Sequence, residues 1–183
     1  MRELADYSGE FLPDLSFQDF SREILLKLLT AYAKLYMGMD GFWYKSVMER
    51  HGNEEALACD MRAWDMMIKY EMKKLTETLN IRGNDPIAFM KILQVSPWFQ
   101  HMKFKVDIEN NNIVMTVTYC PTLDTLEKEG KGRQQTTCAI VEPKLMKLYA
   151  LLFNPKMRAE SLTPLPRQNR EDVCCRWLIK LEN

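Results

Sequence analysis

The stretch KFKVDIENNNIVMTVTYC, residues 103–120, decides the fold of this chain. Apolar residues alternate with polar ones on both sides of an asparagine run, which is the pattern of two half-buried strands. The run Asn110-Asn111-Asn112 tolerates the left-handed backbone that a tight turn needs. The stretch therefore predicts a β-hairpin, with one face of each strand directed toward a core.

On the C-terminal side of the hairpin, the apolar residues first recur at helical spacing and then alternate again. This pattern predicts two helices followed by two further strands, and a polar linker with two prolines joins those strands. The second half is thus predicted in the order ββααββ, as a small antiparallel sheet covered by helices. The predicted helices cover residues 123–129 and 138–153, and the predicted strands cover residues 157–162 and 174–181.

On the N-terminal side, apolar residues recur at helical spacing. Ser16, with Asp19 three residues later, is a candidate helix cap. Gly38 and Gly41 are expected to kink or break the first helix. A long helix is predicted at 53–79 and a further helix, capped by Asn84, up to residue 95. The fold class is therefore α+β: a single domain, 1–183, made of a helical half, 1–97, and a half with the sheet, 98–183.

Composition excludes several classes of function. The 183 residues carry 25 basic and 25 acidic side chains without a long basic block, so neither nucleic-acid binding nor a polybasic membrane anchor is expected. Apolar runs are shorter than the ~20 residues of a membrane span, and the first residues lack the pattern of a signal peptide. Five cysteines, an odd number, favour a reducing compartment. The expected location is cytoplasmic.

Cysteines at the ends of predicted elements are the leading candidates for a site. Cys120 ends a strand, Cys138 begins a helix, and Cys174 and Cys175 begin the last strand. A cysteine at a helix N-terminus is favoured as thiolate, and Glu142 lies one turn beyond Cys138. Alternation predicts that Cys175 faces the core and Cys174 the other side. The alternative is that Cys138 is a small buried hydrophobic residue.

Convergence of these residues leaves several chemistries open. Cys120, Cys138 and Cys175 together with Glu142 could hold Zn or Fe. A redox pair or a covalent cysteine nucleophile with Glu142 as base is the other interpretation. The spacing is not that of a zinc knuckle, so only the fold could assemble a metal site.

A second set of candidates would contact a small-molecule ligand. On the long helix, Asp60, Trp64 and Glu71 share one side, and the two carboxylates are either buried with raised pKa values or the solvated flank of the helix. His101 precedes the first strand and either reaches a pocket mouth or packs against neighbouring aromatic residues. The candidate ligand-binding residues are Trp43, Asp60, Trp64, Tyr119 and His101.

Several of these residues carry a resemblance to a known family. The run Tyr119-Cys120-Pro121, Cys138 with Glu142, Asn154-Pro155 and the run 172–177 resemble the L-2-amino-thiazoline-4-carboxylic acid hydrolase-like family over about residues 100–182. They are more distantly similar to the ligand-binding domain shared with four-vinyl reductase proteins. The resemblance implies a cytosolic protein with a small-molecule pocket near the cysteines.

Two functions follow as expectations. The first is a hydrolase acting on a non-peptide C–N bond, which opens a cyclic amidine or thiazoline ring with Cys138 as nucleophile or metal ligand and Glu142 as base. The second is a sensor or carrier domain that binds a metal or small ligand without turnover. A homodimer formed through the helices, with merely buried cysteines, is the third interpretation.

Overall fold

The structure, a computed structural model, describes residues 3–182. Its N-terminal half is helical, as the spacing predicted. Ser16 and Asp19 do form a capping box, but it opens a short 3-10 turn, Phe17–Asp19, rather than the long helix. Ser21 caps that helix instead by accepting a hydrogen bond from the Ile24 N–H at 3.3 Å. The helices are α1 (Arg22–His51), α2 (Asn53–Leu79) and α3 (Pro86–Val95).

Two details of the helical half differ from the prediction. The expected break at Gly38 and Gly41 is wrong, because α1 continues through both. A glycine inside a helix costs roughly 1 kcal/mol relative to alanine, and the packing of α1 against α2 offsets that cost. Asp85 caps α3 in place of Asn84, by accepting a hydrogen bond from the Ala88 N–H at 2.7 Å.

The predicted hairpin is confirmed. Its turn places Asn110 and Asn111 in the left-handed region, with φ of 49° and 64°. All pairings in the sheet are antiparallel, in the spatial order β1-β2-β4-β3, so the strand that ends the chain inserts beside the hairpin. The strands are β1 (Lys103–Glu109), β2 (Asn112–Tyr119), β3 (Met157–Ser161) and β4 (Cys175–Leu181). The α+β fold class is therefore confirmed.

The ββααββ order holds only approximately, because the segment between the two strand pairs contains more helical elements than predicted. Cys138 lies within a π-helical turn, Thr137–Val141, in a run of helical segments that begins four residues earlier. It does not begin a helix. The helices of this segment are α4 (Pro121–Glu129), the single turn α5 (Gln134–Thr136) and α6 (Glu142–Phe153).

Both halves contribute to one hydrophobic core. Helix α3 packs on the two central strands, and α2 packs across α6. None of the described helices has the length and apolar composition needed to cross a bilayer. Buried core residues from the two halves include Trp64, Ile68, Phe89, Met115, Met146 and Trp177.

Candidate functional site

A cavity of about 530 Å³ lies between the helical half and the sheet. Helices α1 and α2 form one wall. Strand β2, the start of α4, the π-helical turn and α6 form the other. The apolar part of the lining is dominated by aromatic and methionine side chains, among them Phe42, Trp64, Trp98, Phe99, Met102, Met115, Met146 and Trp177.

The structure brings the predicted cysteines and Glu142 to one wall of this cavity. Cys120, Cys138, Cys175 and Glu142 all line it, although they lie on four different segments of the chain. Burial raises the pKa of each of the three thiols, and the nearby carboxylate of Glu142 raises each of them further. The fold therefore gathers these residues even though their spacing along the sequence gives no local motif.

Cys174 was expected on the opposite face and that expectation is wrong. It is buried and lines the same cavity. The alternation of faces applies only inside a strand, and β4 begins at Cys175. Cys174 lies in the preceding loop, where its backbone N–H donates to the Val117 carbonyl at 2.9 Å.

The expectation that Cys138 is a favoured thiolate is also wrong. Burial, together with the nearby carboxylate of Glu142 and the other thiols, raises the pKa of Cys138 to about 12. Cys120 is the thiol at a helix start, since it precedes Pro121 at the first position of α4. The N–H groups of Thr122 and Leu123 act to lower the pKa of Cys120, but burial outweighs them and raises it to about 12.

The carboxyl group of Glu142 has a pKa near neutral pH. Its side chain keeps some accessible surface because it faces the cavity. Burial away from bulk water raises its pKa to about 7. A carboxyl group with such a pKa can accept or donate a proton at physiological pH.

A second acidic group lies on the helical wall. Asp60 on α2 is only 8% exposed, and its Oδ1 atom has no hydrogen-bond partner among the described residues. Burial and the nearby charge of Asp40 on α1 raise the pKa of Asp60 to about 7, against a smaller lowering by the Trp64 indole N–H. Burial likewise raises the pKa of Asp40. The interpretation that Asp60 is a solvated flank is therefore wrong.

Glu71 is buried as well but lies deeper than the cavity lining. Neither carboxylate oxygen makes a hydrogen bond of normal geometry with a described residue, and the same holds for the Ser96 and Tyr149 hydroxyl oxygens. Burial raises the pKa of Glu71, while those two hydroxyls act to lower it. Glu71 is thus part of a buried polar group behind Tyr149, which itself faces the cavity.

The lining residues that were not predicted include Lys45 and Arg133. Lys45 follows Gly41 by one helical turn, a spacing that would have placed it on the same side of α1. The Arg133 guanidinium stacks over the Tyr44 ring at 5.1 Å from its centroid.

Among the predicted ligand-binding residues, Asp60 and Trp64 line the cavity, and three others do not. Trp43 on α1 is 41% exposed, and Tyr119 is exposed beside Lys103. His101 ends a short 3-10 turn, where its Nε2 atom is buried. These three residues therefore form no part of the cavity wall.

The metal expectation can be compared with the arrangement of donor groups. Within residues 3–182, no group of three or more His, Cys, Asp or Glu side chains is placed so that it could hold a metal ion. The thiols of Cys120, Cys138 and Cys175 share a wall without forming such a set. The predicted Zn or Fe site does not fit this geometry, and no step below is routed through a metal.

The fold and the cavity define an α+β protein with an acidic, thiol-bearing cavity between helices and sheet. Residues 18–181 match a family of unknown function, DUF6125, and the chain belongs to that family. No match was found among curated proteins or among solved structures. The resemblance to the thiazoline-carboxylate hydrolases stays a prediction.

Proposed function

We propose that this protein binds a small, largely apolar molecule in the cavity between its helical half and its sheet. The observation that carries the proposal is the cavity itself, at about 530 Å³ with aromatic and methionine walls and a few ionisable side chains. Ligand sites on the order of 300–1,000 Å³, mostly apolar with a few placed polar groups, are typical of small-molecule binders. Methionine side chains in the lining are flexible and can adapt to the shape of a ligand.

Binding of a neutral apolar dye tests this proposal. N-phenyl-1-naphthylamine should fluoresce on entering the cavity of the purified protein. Leu145→Trp places a larger side chain in the lining and should weaken dye binding at least tenfold. Lys144→Trp, on the exposed side of α6, is the matched control and should bind as the wild type does. Equal binding by the two variants, both folded by circular dichroism, would place the dye elsewhere and contradict the proposal.

Hydrolysis of a cyclic amidine is a second candidate, favoured by the placement of Glu142. Its carboxylate, with a pKa near 7, would accept a proton from an attacking water as the water oxygen bonds to the amidine carbon. The Glu142 carboxyl would pass that proton to the ring nitrogen of the tetrahedral adduct. It would then carry the remaining hydroxyl proton to the same nitrogen as the C–N bond breaks and the carbonyl forms. Cys138 is a weaker candidate for nucleophile than the sequence suggested, since its thiol must first lose a proton against a pKa of about 12.

Turnover of 2-amino-thiazoline-4-carboxylate distinguishes the two functions. A hydrolase should release the ring-opened product, and Glu142→Gln should lose at least a hundredfold in rate. Cys138→Ser should lose as much only if the thiol is the nucleophile. Ligand binding without product release by the wild type would support the binding function alone.

A second copy of the chain is the protein partner that we propose. Exposed apolar residues of α1 repeat at intervals of three and four and form what we call the α1 seam: Tyr32, Leu35, Met39 and Phe42. With the flanking Leu29 and Trp43 they expose on the order of 800 Å² of side chain, close to one partner's share of a standard interface. A 3-4 repeat is the spacing by which helices pair along a seam. No nucleic-acid partner is proposed.

A cytoplasmic location is also proposed. It is supported by the five cysteines, all of which are free thiols. Free thiols persist in reducing compartments.

A further inference from the structure

We propose that the helical wall of the cavity selects a cationic ligand, a protonated amine or amidinium carried on an aromatic or aliphatic body. The inference rests on the proposed function and names the chemical class of ligand that the same site would take. Asp60 on α2 and Asp40 on α1 would face the cationic head. The aromatic and methionine side chains deeper in the cavity would pack around the body.

Asp60 supplies the observation that points to a ligand. It is 8% exposed, it lines the cavity, and its Oδ1 atom has no hydrogen-bond partner in the described chain. A buried polar atom without a partner costs free energy comparable to a lost hydrogen bond, and more when the group is ionised. An N–H donor that carries positive charge would satisfy this atom and favour the ionised carboxylate at the same time.

The cationic side chains of the cavity wall are already engaged elsewhere. Arg133 pairs with Glu129 at 3.1 Å and stacks on Tyr44, and Lys45 lies 3.9 Å from Glu49 on its own helix. Neither forms an ion pair with Asp60 among residues 3–182. The cavity thus holds acidic groups in excess, with Asp40, Asp60 and Glu142 all lining it.

Aromatic rings beside the carboxylates favour the same ligand. Trp64 follows Asp60 by one turn and meets Trp98 edge to face, with ring centroids 5.1 Å apart. Both indole rings line the cavity, and Trp64 is buried. The faces of such rings attract organic cations, most strongly when water is excluded. An anionic head group would instead be repelled by the two carboxylates and by the faces of the aromatic rings.

Three probes of equal size test the charge preference. The full chain should be titrated by calorimetry at about pH 8 with benzylamine, benzyl alcohol and benzoate. Benzylamine is protonated at this pH. We expect benzylamine to bind at least tenfold more tightly than benzyl alcohol, and benzoate more weakly than either. Asp60→Asn keeps the shape of the side chain and should reduce the preference for the amine over the alcohol to less than threefold.

The control is Asp65→Asn on the same helix. Asp65 is half-exposed, pairs with Lys69 at 3.3 Å and does not line the cavity, so its variant should keep the full preference. If Asp60→Asn does not fold, Asp40→Asn takes its place with the same expectation.

The outcomes separate this inference from the proposal on which it rests. Equal affinity for amine and alcohol would overturn the cation preference and leave the cavity as a site for neutral ligands. A preference for the amine that survives both Asp60→Asn and Asp40→Asn would overturn the assignment to these carboxylates. Failure of the amine, the alcohol and the neutral dye to bind would remove the proposed function and this inference together.

Discussion

Burial has a larger effect on the pKa values of the cavity thiols than position on a helix has. Cys120 stands where backbone N–H groups favour a thiolate, yet burial raises its pKa to about 12. Burial and the nearby carboxylate of Glu142 both raise the pKa of Cys138, also to about 12. Low-polarity surroundings disfavour the charged form of any thiol. At the scale of single residues, the groups that titrate near neutrality in this cavity are carboxyls, which shifts the candidate chemistry from cysteine to Glu142 and Asp60.

Raised carboxyl pKa values predict how stability depends on pH. The folded-state pKa of Asp60 is about 7 and that of an unfolded Asp is 3.8. Between these values the unfolded chain loses the proton that the folded chain keeps, so the free energy of unfolding falls as pH rises from about 4 to about 7. Glu142, with a pKa of about 7 against 4.5, acts in the same direction.

Asp60→Asn and Glu142→Gln should therefore each flatten this dependence. A tenfold change in proton affinity is worth about 1.4 kcal/mol, so the raised pKa values predict that each variant gains roughly 4 kcal/mol over the wild type at pH 8 and little at pH 4. Urea denaturation across this range measures it. Glu55→Gln, on the exposed first turn of α2, should follow the wild-type curve. A wild-type protein that becomes more stable between pH 5 and 7 would contradict the prediction.

The sequence could predict a site residue only where the spacing within one helix or strand determines the direction of its side chain. Asp60 and Trp64 share a helix face, so their common direction was readable from spacing. The place of Trp43 relative to the cavity could not be read in this way. Each step of one residue rotates the side chain by about 100° around the helix, so Trp43 does not share the side from which Phe42 and Tyr44 line the cavity. Arg133 lies in a segment without periodicity, and only the folded chain shows that it stacks on Tyr44.

At the scale of elements, α1 combines a buried contact with an exposed apolar seam. The helix packs against α2 on one side, while Leu35, Met39 and Phe42 on the α1 seam are 67–74% exposed. Glycine spacing suggested a break in this helix, because propensity was weighed without the contact to α2. A continuous helix of 30 residues carries the seam past the cavity without interruption.

The α1 seam predicts a dimer that charge will disrupt. Leu35→Glu combined with Met39→Glu puts two carboxylates where a second copy would pack, and the protein should become monomeric. Light scattering after size-exclusion chromatography, over a range of about 1–100 μM, measures the mass. Lys34→Glu, exposed but off the seam, is the control and should remain dimeric. A wild-type protein that is monomeric over this whole range would rule out the seam as a self-association surface.

The long loop before β4 is held to α4 by ion pairs to Glu127, and the pair made by Arg167 is the more buried one. Arg167 donates to both carboxylate oxygens of Glu127, at 2.9 and 2.7 Å, and also approaches the Cys174 sulfur at 3.8 Å. Both partners are largely buried. Bidentate pairs of this kind are stronger and more specific than single contacts, so the loop that carries Cys174 to the cavity depends on Arg167.

Arg167→Ala should lower the free energy of unfolding by roughly 2 kcal/mol, between the values for exposed and fully buried pairs. Arg170→Ala is the matched control, since Arg170 is exposed and lies 3.6 Å from the same carboxylate, and it should cost less than about 0.5 kcal/mol. The pair lowers the pKa of Glu127, so its contribution is present at neutral pH and is lost as pH falls below about 4. Equal effects of the two variants at pH 7 would contradict this account.

At the scale of the whole molecule, sequence patterns predicted the elements better than their assembly. Alternation identified the hairpin and the last strand, and helical spacing identified α2 over nearly its whole range. It could not show that β4 inserts between β2 and β3, because pairing is settled by contacts distant along the chain. The cavity follows from that assembly: its lining residues are contributed by both halves, which no local pattern brings together.

The prediction of a single domain can be tested through Ile68. This residue on α2 is fully buried at 0% exposure in a core shared with Met115 and Trp177 of the sheet. Ile68→Ala should cost about 3 kcal/mol, whereas Ile140→Ala at an exposed position should cost little.

Hydrogen exchange of α2 and β2 amides measures whether that cost reaches both halves. If the shared core makes them one cooperative unit, Ile68→Ala should lower protection in α2 and β2 by the same free energy. Loss confined to α2, with β2 unchanged, would mean that the helical half opens by itself. The cavity would then lie between two separately folding units, and ligand binding would have to stabilise their contact rather than fill a preformed chamber.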